Sequence, residues 1–145
     1  MIGLLQRVSH AEVTVDDQQV GAIGPGLLVL IGVRPLDDEA SAHRLLTRVV
    51  QYRIFPDEAG KMNLSLTQTQ GDLLLVPQFT LAADTHKGLR PGFSTAAGPE
   101  QGRRLFDTVV AAARVRRPRV ETGVFGAHMR VSLTNDGPVT FWLES

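Results

Sequence analysis

The sequence contains no cysteine among its 145 residues. A chain without thiols forms no disulfide and offers no thiolate to a zinc ion, an iron–sulfur cluster or a covalent mechanism. Long hydrophobic runs are also missing: the longest covers residues 26–33, whereas a membrane-spanning helix needs about 20 apolar residues. No basic and apolar leader opens the chain, so we expect a soluble cytoplasmic protein with no membrane partner.

An excess of charge of one sign is absent as well, because 15 Lys and Arg balance 15 Asp and Glu. Residues 1–58 hold five basic and eight acidic side chains (−3), and residues 59–145 hold ten and seven (+3). Thirteen of the 15 cations are Arg, which suits phosphate contact. A tight non-specific nucleic-acid binder would be basic overall, so the balance leaves room only for local contact with an RNA backbone.

Familiar catalytic arrangements are lacking. The four histidines, at positions 10, 43, 86 and 128, never fall at a metal-binding spacing, so no metal is expected, and nothing in the sequence calls for a cofactor. A Gly-x-Ser-x-Gly nucleophile elbow is missing. Thr80 follows a strand end and His86 comes six residues later, which makes Thr80 a weak candidate nucleophile. The competing interpretation is that Thr80 only holds the backbone.

Hydrophobic periodicity predicts a hairpin, a buried strand and a helix in the first part of the chain. Residues 2–15 alternate loosely and residues 20–23 return after a polar turn. A Gly-Pro-Gly turn precedes the apolar run 27–33, which predicts a strand buried on both faces. Asp37, Asp38 and Glu39 supply the acidic start of an amphipathic helix whose apolar residues are Ala42, Leu45, Leu46, Val49 and Val50.

The second part predicts a strand over 73–76 that Pro77 ends or places at an edge. Residues 82–98 are polar and broken by Gly and Pro, which is typical of a functional or mobile loop. Pro99 begins a second helix. Short strands follow at 120–122, 129–133 and 139–143, with a hairpin turn over 134–138 joining the last two.

About seven strands and two main helices in mixed order, with no repeat or linker, predict one domain over residues 1–145. We expect a β-rich α/β fold with mixed sheets, in which the two helices cover one face in three layers, α/β/β.

Basic residues are concentrated in two segments. Lys87 and Arg90 lie on the glycine-rich part of the long loop, where two cations and flexible backbone suit a phosphate; a solvated loop is the alternative. Four arginines follow the second helix, where cations favour the helix dipole, and phosphate binding is the other interpretation. They are Arg114, Arg116, Arg117 and Arg119.

Two segments taken together resemble a known family. The D-aminoacyl-tRNA deacylases of bacterial type, the D-tyrosyl-tRNA deacylase family, carry similar segments at both places: Gln78-Phe79-Thr80-Leu81 after an apolar strand, and Asn135-Asp136-Gly137-Pro138-Val139-Thr140 before Trp142. The resemblance runs from end to end of the chain. Further similar segments are Gln6-Arg7-Val8, 24–30, Arg53-Ile54-Phe55, 60–64, 83–85, Arg90-Pro91, 121–123 and Met129.

The resemblance implies a homodimeric enzyme with its active site at the subunit interface. It would hydrolyse the ester between a D-amino acid and the 3′-terminal adenosine of tRNA, a proofreading step of translation. Gly137 and Pro138 would form a Gly-cisPro element that reaches into the partner's site. Its carbonyls would hold the substrate amino group, and an L side chain would collide with it.

The same resemblance assigns the remaining site residues. Main-chain groups of Phe79 and Thr80, with the ribose 2′-hydroxyl of the RNA, would carry the hydrolysis, and Gln78 would shape the pocket. Backbone N–H groups stabilise an oxyanion without a reactive side chain, which agrees with the lack of a triad. Phe125 and Met129 would pack against the terminal adenine, and core packing is the competing interpretation for both.

One residue departs from the family pattern. The strand-end motif of the family begins with Ser, and this chain has Pro77, which lacks both a hydroxyl and an N–H. The departure leaves the substrate range open, including cleavage of glycyl-tRNA, because achiral glycine evades a filter against L side chains. The residues alone also leave open an esterase with Thr80 as nucleophile and a dimeric RNA-end-binding protein without catalysis.

Overall fold

The computed structural model describes all 145 residues. The eight strands are β1 (Ile2–Val15), β2 (Gln18–Ile23), β3 (Gly26–Gly32), β4 (Arg53–Pro56), β5 (Met62–Ser65), β6 (Asp72–Pro77), β7 (Val120–Thr122) and β8 (Arg130–Glu144). The helices are α1 (Glu39–Gln51), α2 (Leu66–Thr69) and α3 (Pro99–Arg116), and a 3₁₀ helix covers Phe79–Ala82. None of the helices is long and apolar enough to cross a membrane.

One mixed sheet of six strands organises the molecule. Its main order is β2-β1-β3-β6-β7, in which β6 runs parallel to both β3 and β7. β8 lies antiparallel along the other edge of β1. The first and last strands in this order, β2 and β7, lie close together. A Cβ on Gly21 of β2 would be 2.9 Å from the carbonyl oxygen of Thr122 in β7. The sheet therefore curls over itself.

Side chains that alternate between the two faces of the central strands belong to two separate hydrophobic cores. Leu27, Val29 and Ile31 of β3 belong to the larger core, which includes the apolar faces of α1 and α3. Leu28, between them in the sequence, belongs to the smaller core enclosed by the curled sheet. Leu27, Leu28 and Val29 are fully buried, which confirms the prediction of a strand buried on both faces. The predicted β-rich α/β fold, with two main helices on one face, is confirmed.

The two main helices begin where the sequence predicts. Asp38 caps α1, its Oδ1 accepting hydrogen bonds from the Ser41 N–H at 2.7 Å and the Ser41 hydroxyl at 2.8 Å. Pro99 occupies the first turn of α3, where its missing N–H costs nothing. An ion pair of 3.1 Å between Arg104 and Glu39 joins the two helices.

Four short elements are missing from the sequence prediction, namely the 3₁₀ helix, β4, β5 and α2. β4 and β5 form an antiparallel hairpin, and α2 is a single turn that begins with a capping box between Ser65 and Gln68. Asp57 holds the hairpin turn by accepting hydrogen bonds from the N–H groups of Ala59 and Lys61. Elements this short show no period in the sequence, so local hydrogen bonds decide them.

The prediction of two C-terminal strands joined by a hairpin turn is wrong. β8 is one strand that pairs with β1 on both sides of this segment. The register steps from Gln6–Thr140 to Val8–Asn135, so residues 136–139 stand opposite Arg7 alone. We call residues 136–139 the β8 bulge. Turn-forming residue types suit either a hairpin or a bulge, and only the long partner strand β1 decides between them.

Candidate active site

An apolar cleft of about 610 Å³ opens where the parallel strands β3 and β6 end. Ligand sites in α/β proteins commonly lie at this edge of parallel strands. The cleft walls come from the two strand ends, the turn after β6, the loop that leads into α3 with the first turns of that helix, and residues 125–129 with Val131. Twelve of the 19 lining residues are hydrophobic, and His128 is the only titratable one.

The turn after β6 leaves main-chain donors free. The Gln78 N–H continues the sheet by donating to the carbonyl of Ile31 at 2.8 Å, and the 3₁₀ helix then begins. The first hydrogen bond of this helix runs from the Leu81 N–H to the Gln78 carbonyl, at 3.3 Å. The N–H groups of Phe79 and Thr80 precede that bond and have no acceptor within the helix. Two adjacent free N–H groups suit a developing oxyanion.

The Thr80 side chain has no base beside it. Its hydroxyl pairs with the side-chain amide of Gln78, which donates the hydrogen bond. Thr80 is exposed and does not line the cleft, whereas Gln78 and Phe79 do. His86, the partner considered from the sequence, forms its hydrogen bond with Asp84 through its backbone N–H, at 3.0 Å. The arrangement gives Thr80 no means of activation as a nucleophile.

Phe125 and Met129 line the opposite wall and are half-buried. The Phe125 ring packs at 6.4 Å between centroids from that of Phe106, and the Arg103 guanidinium lies 4.9 Å from its centre. The Met129 sulfur accepts a hydrogen bond from the Val124 N–H at 3.3 Å. Both side chains pack against the cores and also line the cleft, so core packing is confirmed for both, and contact with the adenine stays a prediction.

Phe93 also lines the cleft, although no motif in the sequence predicts it. Its ring centroid lies 5.1 Å from that of Phe79, with the ring planes at 51°. Phe93 is 45% exposed and Phe79 57% exposed. A phenylalanine within a polar loop is the signal that the sequence offered, because such a ring is far from any predicted core element.

The predicted loop over 82–98 contains no helix or strand beyond Ala82. Asp84 and Gly92 pair as an isolated bridge through two hydrogen bonds of 2.8 and 2.9 Å. We call residues 85–91, enclosed by this bridge, the loop tip. Lys87 and Arg90 are exposed there, and neither lines the cleft.

Gly137 and Pro138 lie outside the cleft of their own chain, at an exposed position in the β8 bulge. Their peptide bond is cis. Arg7 donates to the carbonyl of Asp136 at 2.9 Å, and the Asn135 Oδ1 accepts from the Val139 N–H at 2.6 Å. Gly137 has a φ of +144°, and a Cβ there would lie 2.5 Å from a Val139 methyl, so only glycine fits.

The prediction that four arginines follow the second helix is wrong for Arg114 and Arg116, which lie in the last turn of α3 because the helix continues almost to Pro118. Arg117 is buried and donates to the carbonyl of Gly71 at 2.6 Å. Arg116 donates to the Thr47 hydroxyl at 2.8 Å, and Arg119 lies 3.7 Å from the Asp72 carboxylate. These contacts favour a role in packing the end of the helix.

Comparison with known sequences gives a family match over nearly the whole chain. The model of the D-Tyr-tRNA(Tyr) deacylase family matches residues 4–144. A D-aminoacyl-tRNA deacylase of Thioalkalivibrio sulfidiphilus is 65% identical over 144 residues, which cover 99% of this chain and 97% of that protein. A D-aminoacyl-tRNA deacylase of Azotobacter vinelandii is 61% identical over 145 residues, with both chains covered completely.

Solved structures share the fold. The c-Myc DNA unwinding element binding protein matches with a TM-score of 0.95 and 37% identity, covering 100% of this chain and 99% of that one. A probable eukaryotic D-amino acid tRNA deacylase matches with a TM-score of 0.86 and 21% identity, covering 99% of this chain and 98% of the other.

Proposed function

This chain belongs to the D-Tyr-tRNA(Tyr) deacylase family, and from that membership we propose that it hydrolyses the ester bond of D-aminoacyl-tRNA. The products are the free D-amino acid and tRNA, and glycyl-tRNA is a further substrate. The observation that carries the proposal is the apolar cleft at the end of β6, which Phe79 lines at the start of the 3₁₀ helix, where the N–H groups of Phe79 and its neighbour Thr80 have no acceptor within the helix.

The chemistry needs little from side chains. Water adds to the ester carbonyl, and negative charge develops on the carbonyl oxygen, where the Phe79 and Thr80 N–H groups stabilise it. The apolar surroundings strengthen these hydrogen bonds. When the bond to the 3′-oxygen breaks, the neighbouring ribose 2′-hydroxyl passes the water's proton to that oxygen. Gln78, which donates to the Thr80 hydroxyl, fixes the shape of this wall.

The RNA end is held on the other side of the cleft. Phe125 and Met129 present an apolar surface to the terminal adenine, and their packing against the cores keeps that surface in place. Lys87 and Arg90 of the loop tip contact the RNA phosphates. No cofactor or metal takes part in the proposed reaction.

Selection of the D-amino acid requires a second subunit in this proposal. Gly137 and Pro138 are exposed and away from their own cleft, and β8 carries them at a free edge of the sheet. In a homodimer the β8 bulge enters the partner's cleft, where its carbonyls hold the substrate amino group and an L side chain collides. Arg7 and Asn135 stiffen the bulge, and a filter that acts by shape needs such stiffness.

Turnover of D-tyrosyl-tRNA tests the proposed function. We expect the protein to hydrolyse a large excess of the substrate, at a rate proportional to the protein concentration, and to hydrolyse glycyl-tRNA as well. An RNA-end-binding protein without catalysis would bind the aminoacyl-tRNA and leave its ester at the rate of spontaneous hydrolysis. That result would contradict the proposal.

Thr80→Ala separates main-chain catalysis from a threonine nucleophile. The variant keeps the Thr80 N–H and loses one side-chain hydrogen bond, so we expect kcat for D-tyrosyl-tRNA to fall by no more than about tenfold. Loss of a true nucleophile costs on the order of 10⁶-fold in kcat. Thr80→Ser is the matched control because it keeps the hydroxyl. Activity that survives in Thr80→Ser and vanishes in Thr80→Ala would support the esterase with a Thr80 nucleophile.

A further inference from the structure

The hydrolysis proposed above uses the main chain of Phe79 but neither aromatic ring at the cleft mouth. From the geometry of Phe79 and Phe93 we propose a second nucleotide subsite, in which the base that precedes the terminal adenosine stacks on Phe93. The inference rests on the proposed function, because the ligand is the 3′ end of the same RNA substrate.

Exposure and orientation of the two rings support stacking. Phe93 is 45% exposed and Phe79 57% exposed, although large apolar side chains are usually buried. Their centroids are 5.1 Å apart and their planes meet at 51°, so neither ring covers the face of the other. Exposed aromatic faces at the entrance of a cleft are the surface on which proteins stack unpaired bases.

The loop tip next to Phe93 is positively charged, which suits a nucleic acid. Phe93 follows directly on the bridge between Asp84 and Gly92 that closes the loop tip. The loop tip carries Lys87 and Arg90 and contains no acidic residue. Neither cation forms an ion pair, since every ion pair of the chain lies elsewhere. A base stacked on Phe93 would bring its phosphate towards these free cations, which identifies single-stranded nucleic acid as the occupant.

Stacking of this kind tolerates any base, because every base has a π-face. The subsite therefore lengthens the contact with the RNA end without selecting among tRNAs. The cleft holds the terminal nucleotide, and Phe93 holds the one before it.

Esters of graded length test the subsite. We would measure kcat and KM for D-tyrosyl esters of adenosine, of the dinucleotide CpA and of whole tRNA. Stacking is worth about 1–3 kcal/mol per base, so for the wild type we expect kcat/KM to rise roughly 5- to 150-fold from adenosine to CpA, mainly through KM. Phe93→Ala should abolish this increase, so that the variant has the same kcat/KM for the adenosine and CpA esters.

Matched variants sharpen the test. Phe93→Tyr keeps an aromatic ring and should retain the increase, whereas Phe93→Leu keeps apolar bulk without a ring and should lose it. Val115→Ala removes a side chain that is 89% exposed on α3, and it should behave as the wild type with all three esters.

Two results would overturn the subsite while leaving the proposed function intact. One is equal kcat/KM of the wild type for the adenosine and CpA esters. The other is a Phe93→Ala variant that slows all three esters equally, which would place the ring against the amino acid or the terminal adenosine. A wild-type protein that cleaves none of the three D-esters would instead contradict the proposed function itself.

Discussion

Gly123 sets the position of the cleft wall that contains Met129. Its N–H donates to the Leu75 carbonyl at 2.9 Å, which continues the contact between β6 and β7 to the cleft. A Cβ at this position would lie 2.7 Å from the Met129 sulfur and 3.4 Å from the Pro77 ring. No side chain fits there unless Met129 moves, so this glycine and the shape of the cleft are linked.

Gly123→Ala is expected to displace Met129 and weaken substrate binding. The sulfur lies towards the flexible end of its side chain, so we expect the fold to survive with a loss of about 1–3 kcal/mol in unfolding free energy. KM for D-aminoacyl-tRNA should rise several-fold with little change in kcat, as measured by steady-state kinetics.

Gly24→Ala is the control for Gly123→Ala, because a Cβ at Gly24 would lie 3.7 Å from its nearest neighbour and far from the cleft lining. We expect it to leave both KM and the unfolding free energy nearly unchanged. An unaltered KM in Gly123→Ala would show that Met129 does not contact the substrate.

Individual residues of the site could be predicted from the sequence only where they belong to a recognisable motif. Gln78, Phe79, Phe125 and Met129 come from segments that resemble a family, and the structure places all four along one cleft. Their roles there stay proposals. Phe93 could not be predicted in this way, because loops have no periodicity and its neighbour Phe79 is brought near only by the tertiary fold.

Periodicity predicted the elements that are long or continuously apolar. α1, α3 and β3 bury regular apolar residues, and each appears where expected. The β8 bulge was mistaken for a hairpin turn because Asn, Asp, Gly and Pro occur in both. Whether a strand continues after such residues depends on its partner, and here the 14-residue β1 pairs with β8 on both sides of the bulge.

The start of α1 gives a pH-dependent prediction. Hydrogen bonds from the backbone N–H and then the hydroxyl of Ser41 lower the pKa of Asp38 below its ordinary value. A carboxylate whose pKa is lowered by folding stabilises the protein above its unfolded pKa of about 3.9, and this contribution is lost as the pH falls through the folded value. Asp38→Ala should therefore lower Tm at neutral pH by a few degrees, and its Tm should fall less steeply than that of the wild type as the pH is lowered.

Asp38→Asn separates the cap from its charge. Asparagine also caps helices, so the variant should keep most of the wild-type Tm at neutral pH. It does not titrate, so its Tm should fall less steeply than that of the wild type below about pH 4. Thermal melts across this range measure both effects. If Tm falls with pH in the same way for the wild type and Asp38→Asn, the Asp38 carboxylate is not the group whose protonation destabilises the fold.

The proposed site is shared between two molecules, so the oligomeric state decides the activity. β8 has an unpaired edge along its length, and Trp142 on this strand is 48% exposed. An open edge of this kind favours association with another chain. We expect a solution mass of twice 15.8 kDa by light scattering and a specific activity that falls on dilution into monomers. A monomer with full activity and full D-selectivity would exclude a shared site.

The ratio of D-tyrosyl-tRNA to L-tyrosyl-tRNA hydrolysis, for the wild type and Pro138→Ala, is the decisive measurement. We predict that the wild type cleaves the D ester at least about 100-fold faster than the L ester, because an L side chain collides with the β8 bulge. Pro138→Ala should lose most of this preference by cleaving the L ester faster, with the D ester still hydrolysed. Equal cleavage of both esters by the wild type, or a Pro138→Ala variant that still excludes the L ester, would contradict selection by Gly137 and Pro138.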